Sequence, residues 1–311
     1  MALVDLGLAE SRSAAAALID AGQVLVSGSP AMKASRLVGA GEPVRLSGET
    51  PRYVSRGGEK LSAALERFGL QAAGKHVLDA GSSTGGFTDC LLQGGAERVV
   101  AVDVGRGQLH PRIRSDPRVT SLERTDIRSE KLDVYRGRMG LVVADLSFIA
   151  LRSVAPALVG FAAPGADIVV LVKPQFEAGR VEVSRTRGVV RSPAVWRSTL
   201  ESATGSVRLA GAVMMNVMVS PLRGAAGNVE FLAHFRAPGC GASDFRITGT
   251  EPGESGVSGA PGEYGESGEH GAYEECGTRV AEMLDRVVEQ AARAAQGSAG
   301  ERSPDGARGG T

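Results

Sequence analysis

Four short motifs in this 311-residue chain carry side chains that a hydrophobic core does not require: SRGGEKL around Lys60, VVADLSF around Asp145, VLVKPQFE around Lys173 and GNVEFL around Glu230. Together they supply two amines and two carboxylates. Of 35 basic residues only five are lysine (Lys33, Lys60, Lys75, Lys131 and Lys173), so two of the five fall in these motifs. Arginine keeps its proton at any accessible pH, whereas a lysine changes its proton affinity when it is desolvated or placed beside other charges. Lysine in those positions therefore suits proton chemistry. A ribose hydroxyl is a weak nucleophile, and moving a methyl group to it from a sulfonium needs alignment along the S–C axis and partial deprotonation. A lysine between carboxylates can stay charged and orient that hydroxyl, or lose its proton and act as base; the sequence leaves both open. The competing reading for each residue alone is a surface ion pair.

A second group of residues has the pattern of a nucleoside pocket. HVLDAGSSTGGFTDCLL, residues 76–92, reads as a strand, a glycine-rich turn and the start of a helix. Gly81, Gly85 and Gly86 permit close approach of a cofactor to the backbone, and the helix start favours polar or anionic groups. Asp79, Ser83, Thr84 and Phe87 complete the candidate cradle. The spacing D-x-G-x-x-x-G-G is not the G-x-G-x-x-G dinucleotide fingerprint, which argues against a nicotinamide cofactor. Asp103 ends the next strand, RVVAVDV, where a carboxylate can accept from both hydroxyls of an adenosine ribose, and Asp126 in LERTDIR is placed for an adenine amino group. Either acid alone reads as a solvated strand end. At successive strand ends of one sheet they read as ligand contacts, with Asp145 as a third acid on the same rim.

The elements that must position these residues follow from hydrophobic periodicity. From Lys75 onward apolar runs alternate with amphipathic stretches, the signature of a parallel sheet flanked by helices. The expected strands are HVLDAG, RVVAVDV, RVTSL, GLVVADLSF and ADIVVLVKP. AVMMNVMVS and NVEFLAHFRA, separated by PLRGAAG, should add an antiparallel hairpin at the edge. The fold class is thus α/β, a Rossmann-like, doubly wound and mostly parallel seven-stranded sheet. Ahead of it SRSAAAALIDAG reads as a capped helix, and QVLVSG and PVRL as short strands, a small α+β unit with little core. The expected boundaries are 1–48 for this unit, 49–74 for a linker and the helix carrying Lys60, and 75–238 for the sheet domain. A Gly/Glu-rich linker over 239–272, a helix over 273–296 and a tail over 297–311 complete the chain.

Composition narrows the function classes. Lys plus Arg and Asp plus Glu both total 35, so any polyanion contact must come from a local patch. No charge-free stretch reaches the roughly 18 residues of a membrane span, and MALVDLGLAESR lacks the features of a signal peptide, so a cytoplasmic protein with no membrane partner is expected. Cys90, Cys240 and Cys276 are widely spaced, which implies neither a metal site nor a disulfide framework. Residues 251–275 carry seven Glu and no Lys or Arg, with glycine at every third position from Gly253 to Gly271. So few triplets with two prolines cannot make a collagen helix, and the segment reads as an acidic disordered linker. Val280, Met283, Leu284, Val287 and Val288 then share one face of a helix expected to dock on the core.

In their order along the chain, SRGGEKL, LDAGSSTGGFTDCLL, DVGRGQL, ADLSFI, LVKPQFEAG and GNVEF resemble the TlyA or hemolysin A family of ribosomal RNA 2′-O-methyltransferases. The resemblance covers about residues 5 to 237 and the final helix. It implies an RNA-binding domain of the ribosomal-protein type joined to an FtsJ-like methyltransferase domain, with S-adenosyl-L-methionine as cofactor. It also implies a K-D-K-E tetrad of Lys60, Asp145, Lys173 and Glu230, and 2′-O-methylcytidine in ribosomal RNA or ribosomal subunits as product. A monomer is expected. Residues 11–46 look like the RNA-binding module, with Arg12, Lys33, Arg36 and Arg45 as its phosphate contacts and Arg56 beyond it.

Two departures from the family pattern stand out. The chain starts within what is usually a longer, basic first helix, and residues 1–67 hold eight Lys or Arg against seven Asp or Glu. Either the start lies upstream or RNA affinity is reduced. The acidic glycine-rich segment is foreign to the pattern. A membrane-active cytolysin, suggested by the older family name, is opposed by the absence of a spanning run or amphipathic hairpin pair, although an interfacial role for the last helix stays open. A non-catalytic RNA-binding assembly factor is opposed by the intact tetrad, since holding RNA does not require Lys60 and Glu230.

Overall fold

The computed structural model describes residues 2–9, 12–20, 23–31, 33–39, 41–47, 51–178, 188–224, 226–239 and 269–300. The chain divides into two units, Met1–Arg52 and Tyr53–Thr311.

The first unit has helices α1 (Ala2–Asp5) and α2 (Arg12–Asp20) and a three-stranded antiparallel sheet of β1 (Val24–Val26), β2 (Ser29–Pro30) and β3 (Val44–Leu46), in the order β2-β1-β3. Val24 and Val26 alternate inward to meet Leu3, Ala9, Ala15 and Ala31, a small buried core among the described residues. Strand β2, absent from the sequence reading, is a two-residue return in which Leu25 pairs Pro30 and Val26 pairs Ser29.

The second unit opens with α3 (Arg56–Phe68), followed by β4 (His76–Ala80), α4 (Gly86–Gln93), β5 (Arg98–Val102), α5 (Pro111–Arg114) and β6 (Val119–Leu122). Then come β7 (Met139–Ala144), α6 (Ala155–Phe161), β8 (Ala162–Val172), α7 (Pro174–Glu177), α8 (Pro193–Leu209), β9 (Val213–Val219), β10 (Phe231–Arg236) and α9 (Glu269–Gly300). The seven long strands take the order β6-β5-β4-β7-β8-β10-β9. The first five are parallel; β10 runs antiparallel to both β8 and β9, which is the expected edge hairpin.

Strand alternation sorts side chains to two faces. Leu78, Ala80, Val100, Val142, Ile168 and Val170 face a core closed by α6, α8 and α9. Val280, Leu284, Val287 and Val288 of α9 are buried there, with Met283 packed against them. Val77, Val99, Leu141, Val143, Val169, Leu171 and Leu232 face the other way, against Leu61, Ala64 and Leu65 of α3 and Phe87, Cys90 and Leu91 of α4. Helix α3 stops at Gly69, whose left-handed φ of 68° returns its N–H to the carbonyls of Leu65 and Glu66. The glycine- and glutamate-rich segment and the C-terminal tail fall outside the described residues over 240–268 and 301–311.

Candidate active site

The tetrad residues lie at the carboxyl ends of β7 and β8, at the amino end of the antiparallel β10 beside them, and on the helix that covers these strands. Asp145 follows β7, Lys173 follows β8 and Glu230 precedes β10, whose first residue Phe231 pairs Val172. Two residues from Val143, Leu171 and Leu232 respectively, all three continue the sheet face covered by α3. On α3 the spacing that buries Leu61, Ala64 and Leu65 also turns Lys60 inward, where only 7% of its surface stays exposed.

The four side chains form two ion pairs. Lys60 Nζ lies 2.5 Å from Glu230 Oε2, with both side chains buried, and Lys173 Nζ lies 2.5 Å from Asp145 Oδ1. Charges this deeply placed survive only if paired and hydrogen-bonded, and both pairs have further partners. Lys173 donates to Ser147 Oγ at 2.8 Å, and Gln175 Nε2 donates to Glu230 Oε1 at 3.3 Å. Gly224 leaves room for the Glu230 carboxylate, since a Cβ there would collide with Oε1. Ser147 and Gln175 carry no sequence signal of their own, because a lone Ser or Gln reads as a side chain facing water until the fold sets it beside an ammonium or a carboxylate.

Beside Asp145 opens a cavity of about 530 Å³. Gly81, Ser83, Asp103, Asp126 and Asp145, all singled out in the sequence, line it with Gly105, Gln108, Thr125 and the loop Leu146–Ile149. Asp103 ties the turns after β4 and β5 together: Oδ2 accepts from Ser83 N at 2.8 Å and Oδ1 from Gly105 N at 2.7 Å. Each oxygen keeps a second lone pair. Asp126 is held ionised by Arg128, whose side-chain hydrogen bonds, with the Arg128 backbone N–H, depress its pKa to about 2.

The remaining cradle residues lie elsewhere, for local reasons. Asp79 is wholly buried under α4, where Thr88 Oγ1 donates to its Oδ2 at 2.6 Å while Oδ1 has no partner. Burial is the main cause that raises its pKa to about 7; Asp145 and Asp103 push the same way and Thr88 opposes them. Thr84 gives its carbonyl to His110 N, and Gly85 caps α4 with a φ of 94°. Gly86 packs so closely on Gly58 that a Cβ would stand 2.9 Å from its nitrogen, and Phe87 is 3% exposed in the core. These five residues build the turn and dock α4 and are not among those that line the cavity.

A donor and acceptor set of this kind fits an adenosine-bearing sulfonium. At Gly81 a Cβ would stand 2.6 Å from the Asp145 carbonyl oxygen, so the glycine is what lets the β4 turn meet the end of β7 and close the cavity floor. Three carboxylates around one cavity suit ribose hydroxyls, an amino group and a cationic centre. Among the described residues no cluster of His, Cys, Asp and Glu could hold a metal ion, and no helix is long and apolar enough to cross a membrane.

In the first unit Arg12, Lys33, Arg36 and Arg45 are all exposed, and Lys33 and Arg36 border a shallow groove with Val38 and Val44. Arg56 is exposed at the start of α3.

Comparison with known proteins agrees with this architecture. The FtsJ-like methyltransferase family matches residues 53–237 and the S4 domain residues 1–44. The 16S/23S rRNA (cytidine-2′-O)-methyltransferase TlyA of Mycobacterium tuberculosis is 48% identical over 235 residues, 75% of this chain and 87% of that protein. Hemolysin A of Brachyspira hyodysenteriae is 38% identical over 230 residues, 74% of this chain and 95% of that protein. A solved structure carrying the hemolysin name, from Streptococcus thermophilus, superposes with a TM-score of 0.61 at 39% identity, covering 76% of this chain and 86% of its own. The tetrad ends of three strands, the acid-lined cavity and these matches lead to one assignment: the chain belongs to the FtsJ-like methyltransferases and, within them, to the S4-domain-bearing TlyA/hemolysin A family of ribosomal RNA 2′-O-methyltransferases.

Proposed function

We propose that this chain transfers a methyl group from S-adenosyl-L-methionine to the 2′-hydroxyl of a cytidine in ribosomal RNA. The observation that carries the reading is the pairing of Lys60 with Glu230 and of Lys173 with Asp145 at one end of the sheet, beside the acid-lined cavity. The name of the relative from Mycobacterium tuberculosis supports the choice of cytidine and of ribosomal RNA.

The cofactor, when bound, supplies an electrophilic methyl on a positively charged sulfur. Asp103 would hold the ribose hydroxyls with the lone pairs left free by Ser83 and Gly105, Asp126 would hold the adenine amino group, and Gly81 keeps the floor open. Asp79 and the turn Thr84–Phe87 shape that floor from behind. Lys173, held by Asp145 and Ser147, presents its remaining donor capacity to the target hydroxyl and orients a lone pair toward the methyl. Asp145 would stabilise the positive charge that develops on the hydroxyl oxygen and accept the proton that the oxygen loses, while the Lys60–Glu230 pair fixes the neighbouring wall. Arg12, Lys33, Arg36, Arg45 and Arg56 contact phosphates and place the RNA. The enzyme acts as a monomer in the cytoplasm on ribosomal subunits.

Incubation of the protein with tritiated cofactor and ribosomal subunits tests the reading. Label should appear in RNA at one ribose whose 3′ phosphodiester resists alkaline cleavage. Label confined to protein or to a base would overturn the assignment.

A further inference from the structure

The loop from Asp145 to Leu151 and the segment from Lys173 to Glu177 run side by side and touch at four points. Lys173 Nζ meets Asp145 Oδ1 at 2.5 Å and donates to Ser147 Oγ at 2.8 Å. The rings of Phe148 and Phe176 lie 5.0 Å apart, and Leu151 N donates to Glu177 Oε1 at 2.7 Å. After Asp145 N, which donates to Ala80 O, no backbone hydrogen bond among the described residues anchors Leu146–Ile149. Phe148, moreover, sits at a φ of 65° and is 91% exposed, a backbone conformation that persists only where surrounding contacts enforce it.

Three of the four contacts gather around the Lys173 ammonium, which also lies 5.8 Å from the centre of the Phe176 ring. The fourth is different. Glu177 is a half-buried carboxylate whose pKa is raised by burial, an unfavourable place for a charge; it accepts from the Leu151 backbone N–H at the far end of the loop, with the charge of Arg152 offsetting part of the burial. A carboxylate kept there fixes where the loop finishes. Because Asp145 N is pinned to β4 at the other end, fixing Leu151 sets the path of everything between, including Ser147.

We propose that Glu177 is a positioning residue for Lys173: by holding the Leu151 N–H it keeps the loop in register, so that Ser147 Oγ and the Asp145 carboxylate stay on the Lys173 ammonium. The inference rests on the reading of Lys173 as a group that touches the target hydroxyl, but its first test needs no substrate. Each of the five lysines can be followed separately by trace acetylation with acetic anhydride and peptide mass spectrometry. In E177A the labelling rate of Lys173 should rise about threefold or more as its hydrogen bond to Ser147 is lost, while exposed Lys131 stays unchanged. E177Q should label like wild type, because its amide oxygen still accepts from Leu151 N. S147A should raise Lys173 labelling as E177A does, and the double variant should add nothing further. In methyl transfer, E177A should lower kcat about 10- to 100-fold with KM for RNA little changed, and E177Q should recover it.

Unchanged Lys173 labelling in E177A, E177Q behaving like E177A, or fully additive effects with S147A would each overturn the proposal. If wild-type protein methylated no ribosomal RNA, the proposed function would fall while the labelling comparison still decided the role of Glu177.

Discussion

Lys60 and Glu230, 170 positions apart in sequence, meet at 2.5 Å with both side chains almost fully withdrawn from water. The pair therefore staples α3 to the start of β10 and is part of the fold as well as of the site. Removing one partner strands a charge in the interior, a cost of about 3–5 kcal/mol. K60M or E230M should accordingly lower Tm by roughly 6 to 20 °C for a unit of this size. K60M/E230M, which removes both charges at similar volume, should recover most of that loss and still transfer no methyl. Thermal melting beside a methyl-transfer assay separates the two roles; a K60M protein that melts like wild type would mean the pair is not buried.

Much of this site was readable from strand ends alone. Asp103, Asp145 and Lys173 each follow an apolar run long enough to be a buried strand, so their arrival on one rim follows from the parallel topology. Lys60 and Glu230 were readable as chemistry but not as partners, because their contact depends on how α3 crosses the sheet, which no local pattern encodes. Thr84, Gly85, Gly86 and Phe87 were read as cavity contacts from the glycine turn. In the fold the chain reverses at Gly85, and α4 turns Phe87 into the core and Gly86 onto Gly58. Asp79 was read as part of the cofactor cradle; in the fold Thr88, nine residues on, covers it. Ser147 and Gln175 were inside quoted motifs and carried no separate signal.

At Lys173 the charge and the geometry can be separated. Arginine in its place keeps the positive charge beside Asp145, but its planar guanidinium cannot put one compact ammonium on Asp145 and Ser147 while offering a donor to the substrate. K173R should bind S-adenosyl-L-methionine within about twofold of wild type, since Lys173 does not line the main cavity, and lose at least about 100-fold in kcat. Calorimetric titration of cofactor and single-turnover kinetics measure the two quantities. A fully active K173R would remove Lys173 from the chemistry.

Asp103 serves both the cofactor and the walls of its pocket. Its carboxylate accepts from Ser83 N and Gly105 N, so D103A removes the ligand contact and unties the two turns. Cofactor affinity should fall by about 1–3 kcal/mol, which is roughly 5- to 150-fold in Kd. D103N keeps one oxygen acceptor but sets an NH₂ against the other backbone N–H, so it should fall between D103A and wild type. Equal cofactor affinity in D103A and wild type, by titration calorimetry, would place the ribose elsewhere.

Asp79 makes stability depend on pH in the direction opposite to a paired surface carboxylate. Its pKa rises from 3.8 to about 7 on folding because burial penalises the charged form and Asp145 and Asp103 repel it. Between those two values the native state binds a proton that the unfolded chain releases, so its contribution to stability is complete below pH 3.8 and is lost as pH climbs through 7. A displacement of that size corresponds to about 4 kcal/mol at full ionisation, an order-of-magnitude figure for a group so deeply buried. Replacing the carboxyl by an amide removes the ionisation while keeping an oxygen or an NH₂ for Thr88. D79N should therefore be less stable than or equal to wild type at pH 5, where Asp79 is already neutral, and more stable at pH 8.5. Urea unfolding at the two pH values gives the comparison directly: a wild-type minus D79N difference that stays constant between pH 5 and 8.5 would show that Asp79 does not titrate in this range.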